Sequence, residues 1–344
     1  MKSTFLTLCW LLGLCMLAST VSISKMRVSL ASDIVVPASD SSKLKALTLE
    51  NGMQALLISH PSATLAGIAI QVGAGSLSDF DYMPGIAHFI EHTIIMGSEK
   101  YPGENDFYDF ISQNGGISNA FTSGEVTDVH YQVNTDALDR SLEIFADMYQ
   151  HPLFTYDVAQ LECFSIESEF QMNYNELPFH LEGVLKALYD PGHPATKFTT
   201  GSYKTLVKDV LSAGRNFSEE MRQFHQKYYH SNIMNMVIIS NETTANMEQM
   251  VKKHFSSLTP DNSLPKDLYD QLPKPLNKNL KSYAQILLDS PGSLITICFE
   301  LSPANKNLKV NPVRYLDYLL SDSGVGSLNE YLLSTGLVVG FQAN

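Results

Sequence analysis

The chain has 344 residues, 44% hydrophobic and 17% charged, with 36 Asp and Glu against 23 Lys and Arg and a formal net charge of -13. That length suits two domains of ordinary globular composition, with enough apolar residues for a packed core. The acidic balance, with no Lys/Arg run, argues against nucleic acid as a partner.

The N-terminus opens with Met1-Lys2, continues with an apolar run over residues 5–18, and ends in the small residues Ala18, Ser19, Thr20 and Ser22. That order predicts a signal peptide over residues 1–24 and a secreted or lumenal protein, with an uncleaved signal anchor as the alternative. The run is short for a bilayer crossing, so no stable membrane span is expected. Cys9, Cys15 and Trp10 lie in this leader, leaving Cys163 and Cys298 in the mature chain. Two cysteines so far apart are not a disulfide framework; one long-range bridge and free buried thiols both fit. Sequons stand at Asn216-Phe217-Ser218 and Asn241-Glu242-Thr243.

Residues 44–49 and 54–59 read as a strand pair turned at Asn51-Gly52, a strong hairpin signal. A third strand follows over 63–72. Residues 85–96 lack Pro and are apolar on most faces, which predicts a buried helix with Gly97 as its glycine C-cap. A helix over 105–113 stops at Gly115-Gly116, and 117–134 reads as two strands around Ser123-Gly124. An amphipathic helix over 136–149 turns Leu138, Leu142, Ile144, Phe145 and Met148 inward. Thr155 can cap a longer helix running to about residue 175. Helices over 181–189, 219–229 and 246–257 and a strand over 233–240 complete a first domain, residues 25–258. The polar segment 259–279, with Pro260, Pro265, Pro273 and Pro275, reads as a linker. Residues 280–344 then read as an incomplete second domain, with strands over 294–300 and 337–341 and a helix over 312–320. Hairpin strands beside helix pairs, without regular β-α alternation, give an α+β fold.

The chemistry centres on His88-Phe89-Ile90-Glu91-His92. Residues four apart share one face of a helix, so His88 and His92 can bind one metal ion together. Glu91 sits on the flank of that face, placed to reach a water rather than the metal. H-x-x-E-H is the signature of inverted zinc peptidases, in which a carboxylate handles the proton of a zinc-activated water. A catalytic zinc takes a third protein ligand. The helix after Thr155 offers Glu162, Glu167 and Glu169. Glu162 and Glu169, seven apart, share a face; Glu169 can ligate while Glu162 braces a histidine.

The stretch GIAHFIEHTIIMGSEKYP resembles the core motif of the insulinase (pitrilysin) family of zinc peptidases. The likeness continues through Gly115 to Ala120, through LECFSIESEFQMN, and through His193-Pro194 with Lys197-Phe198 and Tyr228-Tyr229. GVGSLNEYLLSTG resembles the second repeat domain of the family. The resemblance implies a repeat domain with a mostly antiparallel sheet against helices, followed by the start of a similar one. It implies one Zn2+ held by His88, His92 and Glu169, with Glu91 as general base and Glu162 as the supporting acid of the catalytic set. It places Asn119 and Ala120 on an edge strand that pairs with the substrate backbone. The implied activity is that of a zinc metalloendopeptidase on short or unfolded peptides; the alternative is a fragment or a non-catalytic family member acting as a peptide-binding or scaffold subunit. Relatives in this branch have four repeat domains, so the resemblance also implies a C-terminal half as partner. Thr93, Ile94 and Ile95 depart from the Met, Leu and Phe the family tends to carry there.

Overall fold

The structure, a computed structural model, describes residues 34, 37, 39–275, 282–285, 293–299, 301 and 311–343. The expected leader lies outside the described residues. The described chain falls into two units, one within residues 27–286 and one within 287–344. Among the described residues no helix is long and apolar enough to cross a membrane.

The first unit is built on a six-stranded sheet in the order β1-β2-β6-β3-β5-β4. β1 (Lys43–Thr48) and β2 (Gln54–Ser59) form the hairpin turned at Asn51-Gly52. Gly52 has φ 84°, the left-handed conformation such a turn requires. β3 (Leu65–Val72) does not pair with β2, because β6 (Met234–Ser240) inserts between them, parallel to β2 and antiparallel to β3. β5 (Thr127–Asn134) and β4 (Ile117–Thr122) complete the sheet as an antiparallel hairpin, which leaves β4 at the edge. Only the β2–β6 pair is parallel, as the mostly antiparallel expectation requires.

Burial alternates strictly along β3 and β6, so the sheet has one packed and one open face. Ile68, Ile70, Val72, Met236 and Ile238 turn inward, while Val237 and Ile239 remain exposed on the other side. Helices that supply side chains to the core include α1 (Ile86–Thr93), α2 (Asp106–Gln113), α3 (Leu138–Gln150), α7 (Phe217–Tyr228) and α8 (Thr244–Phe255). Phe107, Tyr131 and Phe145 join α2, β5 and α3 through a stacked pair at 5.6 Å and two edge contacts. Between these elements lie α4 (Tyr156–Asn173), α5 (Leu177–Leu188) and the short α6 (Asp209–Ser212), preceded by a π-helical turn at Lys204–Lys208. α4 buries only Ala159, Cys163 and Ile166, and packs against α1.

Several expectations need correction. α1 ends at Thr93, not at Gly97. Thr93 Oγ1 bonds the Phe89 carbonyl at 2.7 Å, and the chain leaves the helix through the β-branched Ile94 and Ile95. Gly97, at φ 103°, serves the later turn that brings Ser98 to Pro152. α5 begins four residues earlier than expected, with Pro178 in its first turn, where a missing N–H costs nothing. Thr155 occupies the N-cap position of α4 but makes no side-chain cap bond. The segment read as a linker runs back over the first unit: the Asn232 side chain donates to the Asp261 carbonyl and accepts the Asp261 N–H, and Tyr269 Oη accepts the Gly75 N–H at 3.0 Å.

In the second unit α9 (Pro312–Ser321) matches the expected helix, and α10 (Leu328–Ser334), capped by Ser327, was not expected. Neither expected strand forms among the described residues of 294–300 and 337–341. An apolar run makes a strand only where a neighbour takes its backbone groups. Both Cys163, buried, and Cys298, exposed, are free thiols.

Candidate metal centre

His88 and His92 project from α1 one turn apart, with ring centroids 4.8 Å apart and planes at 83°. Each ring is fixed through Nδ1. His88 Nδ1–H donates to the Thr200 carbonyl at 2.6 Å, and His92 Nδ1–H donates to Glu162 Oε2 at 3.0 Å. A neutral imidazole that donates from Nδ1 presents a lone pair at Nε2. The two Nε2 atoms lie 3.2 Å apart. Glu169, two turns along α4 from Glu162, places Oε2 3.4 Å from His88 Nε2 and 3.6 Å from His92 Nε2. That oxygen is buried and makes no hydrogen bond.

Three acceptor atoms facing one another with no hydrogen among them are repulsive unless a cation or added protons neutralise them. The protonation balance of the cluster reads the same way. Burial pulls the His92 imidazolium down, yet Glu162 and Glu169 outweigh it and push its pKa up to about 9. His88 is likewise raised: burial works against the charge, and Glu169, Glu91 and the Thr200 carbonyl overcome it. The two imidazoles hold Glu169 well below the usual carboxylate range. Two imidazoles and one carboxylate form a donor set suited to zinc, and their ligand atoms all lie within 4.8 Å of one another. The residues present therefore fit a divalent metal ion.

Glu91 is buried on the flank of α1 and does not join the ligand atoms. Its Oε2 accepts the Thr122 Oγ1–H at 2.6 Å across the gap to β4. Burial raises its pKa, with His88, Thr122 and His92 pulling the other way. Cys163, beside Glu162, takes no part: burial pushes its thiol up to about 12, so it stays protonated. Asn119 and Ala120 lie on β4, the open edge of the sheet. The Ala120 N–H donates to Asn119 Oδ1 at 2.9 Å. Alternate residues of an edge strand turn their backbone groups away from the neighbouring strand, and Ala120 is one of these. All seven expected site residues are thus placed: His88, His92, Glu162 and Glu169 meet at the cluster, Glu91 lies on its flank, and Asn119 and Ala120 stand on the adjacent edge. The sequence reading missed Thr122 and Thr200. Thr122 shares its side of β4 with Ala120, so two-residue alternation could have flagged it. Thr200 acts through its carbonyl, for which a side chain gives no signal.

The profile of a family described as Insulinase (Peptidase family M16) matches residues 54–196. A second, described as Peptidase M16 inactive domain, matches residues 216–344. The second match starts inside the first unit, taking in α7, β6 and α8. Insulin-degrading enzyme of Homo sapiens is 33% identical over 299 residues, 87% of this chain and 29% of that protein. Nardilysin of Rattus norvegicus is 34% identical over 266 residues, 77% of this chain and 23% of that protein. A crystal structure of pitrilysin superposes with a TM-score of 0.74 at 26% identity, covering 90% of this chain and 33% of that one. The chain spans about a third of the length of these relatives, or less. Two profile matches in the order of the chain, and relatives matched across most of it, show that it belongs to the insulinase family of peptidases, peptidase family M16.

Proposed function

We propose that this chain carries the catalytic centre of a zinc-dependent metalloendopeptidase acting on short or unfolded peptides. The observation that carries the reading is the convergence of His88 Nε2, His92 Nε2 and the unpartnered Glu169 Oε2 on one point. These three would hold the zinc. When bound, zinc supplies Lewis acidity that polarises a peptide carbonyl and lets water attack at neutral pH. Glu91 takes the proton of the attacking water and hands it to the leaving amine. Thr122 holds one Glu91 oxygen and leaves the other for that exchange. Glu162 and the Thr200 carbonyl keep the imidazoles in the orientation that presents Nε2.

The β4 edge supports the substrate class. An extended peptide can add to an open strand through main-chain hydrogen bonds, which a folded protein does not offer. Asn119 Oδ1 occupies the Ala120 N–H and would swing aside as the peptide docks. Because the similar proteins are about three times as long, the reading includes a C-terminal half as the partner that completes the peptide site. It also includes entry into the secretory pathway, supported by the order of charge, apolar run and small residues at the N-terminus.

The experiment is cleavage of a quenched peptide by the zinc-loaded chain and by Glu91→Gln. The substitution should keep the metal and lower turnover by about 10²- to 10⁴-fold. Undiminished cleavage by Glu91→Gln would show that another group serves as base.

A further inference from the structure

The metal helix begins without a cap of its own. Gly85 precedes it at φ 96° and has no side chain to offer the free N–H groups of the first turn. The acceptor comes from six residues upstream. Asp79, buried, takes the Gly85 N–H through Oδ2 at 2.6 Å and the Ala87 N–H through Oδ1 at 3.0 Å. One carboxylate thus satisfies two donors at the positive end of the α1 dipole, immediately before His88.

Asp79 is itself held from the far side. Lys197 Nζ donates to the Asp79 carbonyl and pairs with Asp81 at 3.1 Å. Lys197 lies three residues before Thr200, whose carbonyl fixes His88 Nδ1. That loop reaches the helix because both crossing points are glycines. A Cβ on Gly85 would stand 2.3 Å from Gly201 Cα, and Gly201 at φ 78° has the conformation glycine favours. Asp79, Lys197, Thr200 and the first turn of α1 therefore close a ring of contacts around His88.

Building on the metal-centre reading above, we propose that Asp79 is a positioning residue for His88: its carboxylate sets the first turn of α1, beside the loop bearing Thr200 that Lys197 ties to the Asp79 backbone carbonyl. A ligand must be held within about half an ångström of its working geometry, and here the orienting contact and the helix start share one anchor.

The test compares the full chain with Asp79→Ala, Asp79→Asn and a control, Asp147→Asn. Asp147 is a buried carboxylate on α3 that likewise accepts a backbone N–H, that of Lys100 at 2.9 Å. Zinc affinity is measured by chelator competition, and melting temperature is measured without metal. Asp79→Ala should weaken zinc binding about 10- to 100-fold, the usual cost of losing a group that orients a ligand. Asp79→Asn, which keeps one acceptor oxygen, should fall between it and the parent. Asp147→Asn should melt earlier and bind zinc as the parent does. Parent-like zinc affinity in Asp79→Ala overturns the proposal, and so does an equal loss in the control. Hydrogen exchange of the metal-free chains separates this from the peptidase reading. Faster exchange confined to α1 in Asp79→Ala supports the positioning role even where the parent binds no zinc, an outcome that overturns the peptidase reading alone. Exchange along α1 unchanged from the parent overturns the positioning role.

Discussion

Glu91 and Thr122 meet across the gap between a helix and an edge strand, and their 2.6 Å bond sets which carboxylate oxygen is free. A hydrogen bond to a charged group contributes about 1.5–3 kcal/mol. Thr122→Val keeps the shape and removes the donor, so kcat/KM should fall roughly tenfold or more with zinc content unchanged. Steady-state kinetics beside metal analysis checks this. Lost zinc would mean that Thr122 supports the ligands rather than the base. The histidine pair and Glu91 were legible in the sequence because helix periodicity alone places them. Asp79 was not: it caps α1 across six residues, and no local pattern announces a cap so far upstream.

At the scale of elements, α1 and α4 carry the cluster and β4 carries the edge. The four-residue spacing on α1 and the seven-residue spacing on α4 were readable, and each structural contact respects them. The end of α1 was misread because Gly97, a good stop signal, sits beyond a turn that Thr93 had already begun. The insertion of β6 between β2 and β3 was not legible either. It depends on burial shared by strands more than 160 residues apart in sequence, as Ile68 and Ile238 are in register. Among the described residues the strands expected in the second unit do not form, since period and composition do not supply a partner. The β4 edge gives a direct prediction. Ala120 N–H points away from β5, so Ala120→Pro removes an outward donor without breaking a ladder bond, the position where an edge strand tolerates Pro. KM for peptides should rise about tenfold, as one hydrogen bond would give, while zinc content and the melting temperature stay near those of the parent. An unchanged KM would remove β4 from the substrate site.

For the whole molecule, the first unit packs helices against one face of its sheet, and the buried His225 makes a contribution of known sign to its pH response. His225 joins α7 to α3 by donating to the Tyr149 carbonyl at 2.9 Å, with its ring against Tyr229 and Phe154. Burial lowers its pKa from 6.5 to about 4. Between those values the unfolded chain binds a proton that the folded chain refuses, so stability rises with pH through this window and is lost as pH falls through it. The loss is on the order of 3 kcal/mol. In His225→Gln, denaturant midpoints should change less between pH 7 and pH 4 than in the parent. Equal changes would place the acid sensitivity elsewhere.

The proposed centre would hold one cation where α1 and α4 meet. The direct measurement is zinc content after dialysis against a metal buffer, on the parent chain and on Glu169→Gln. The parent chain should hold close to one zinc, with a large loss in Glu169→Gln, because the variant gives up the carboxylate charge between the two imidazoles. A parent chain without zinc, or a variant that binds it as tightly, would contradict a zinc centre built on His88, His92 and Glu169.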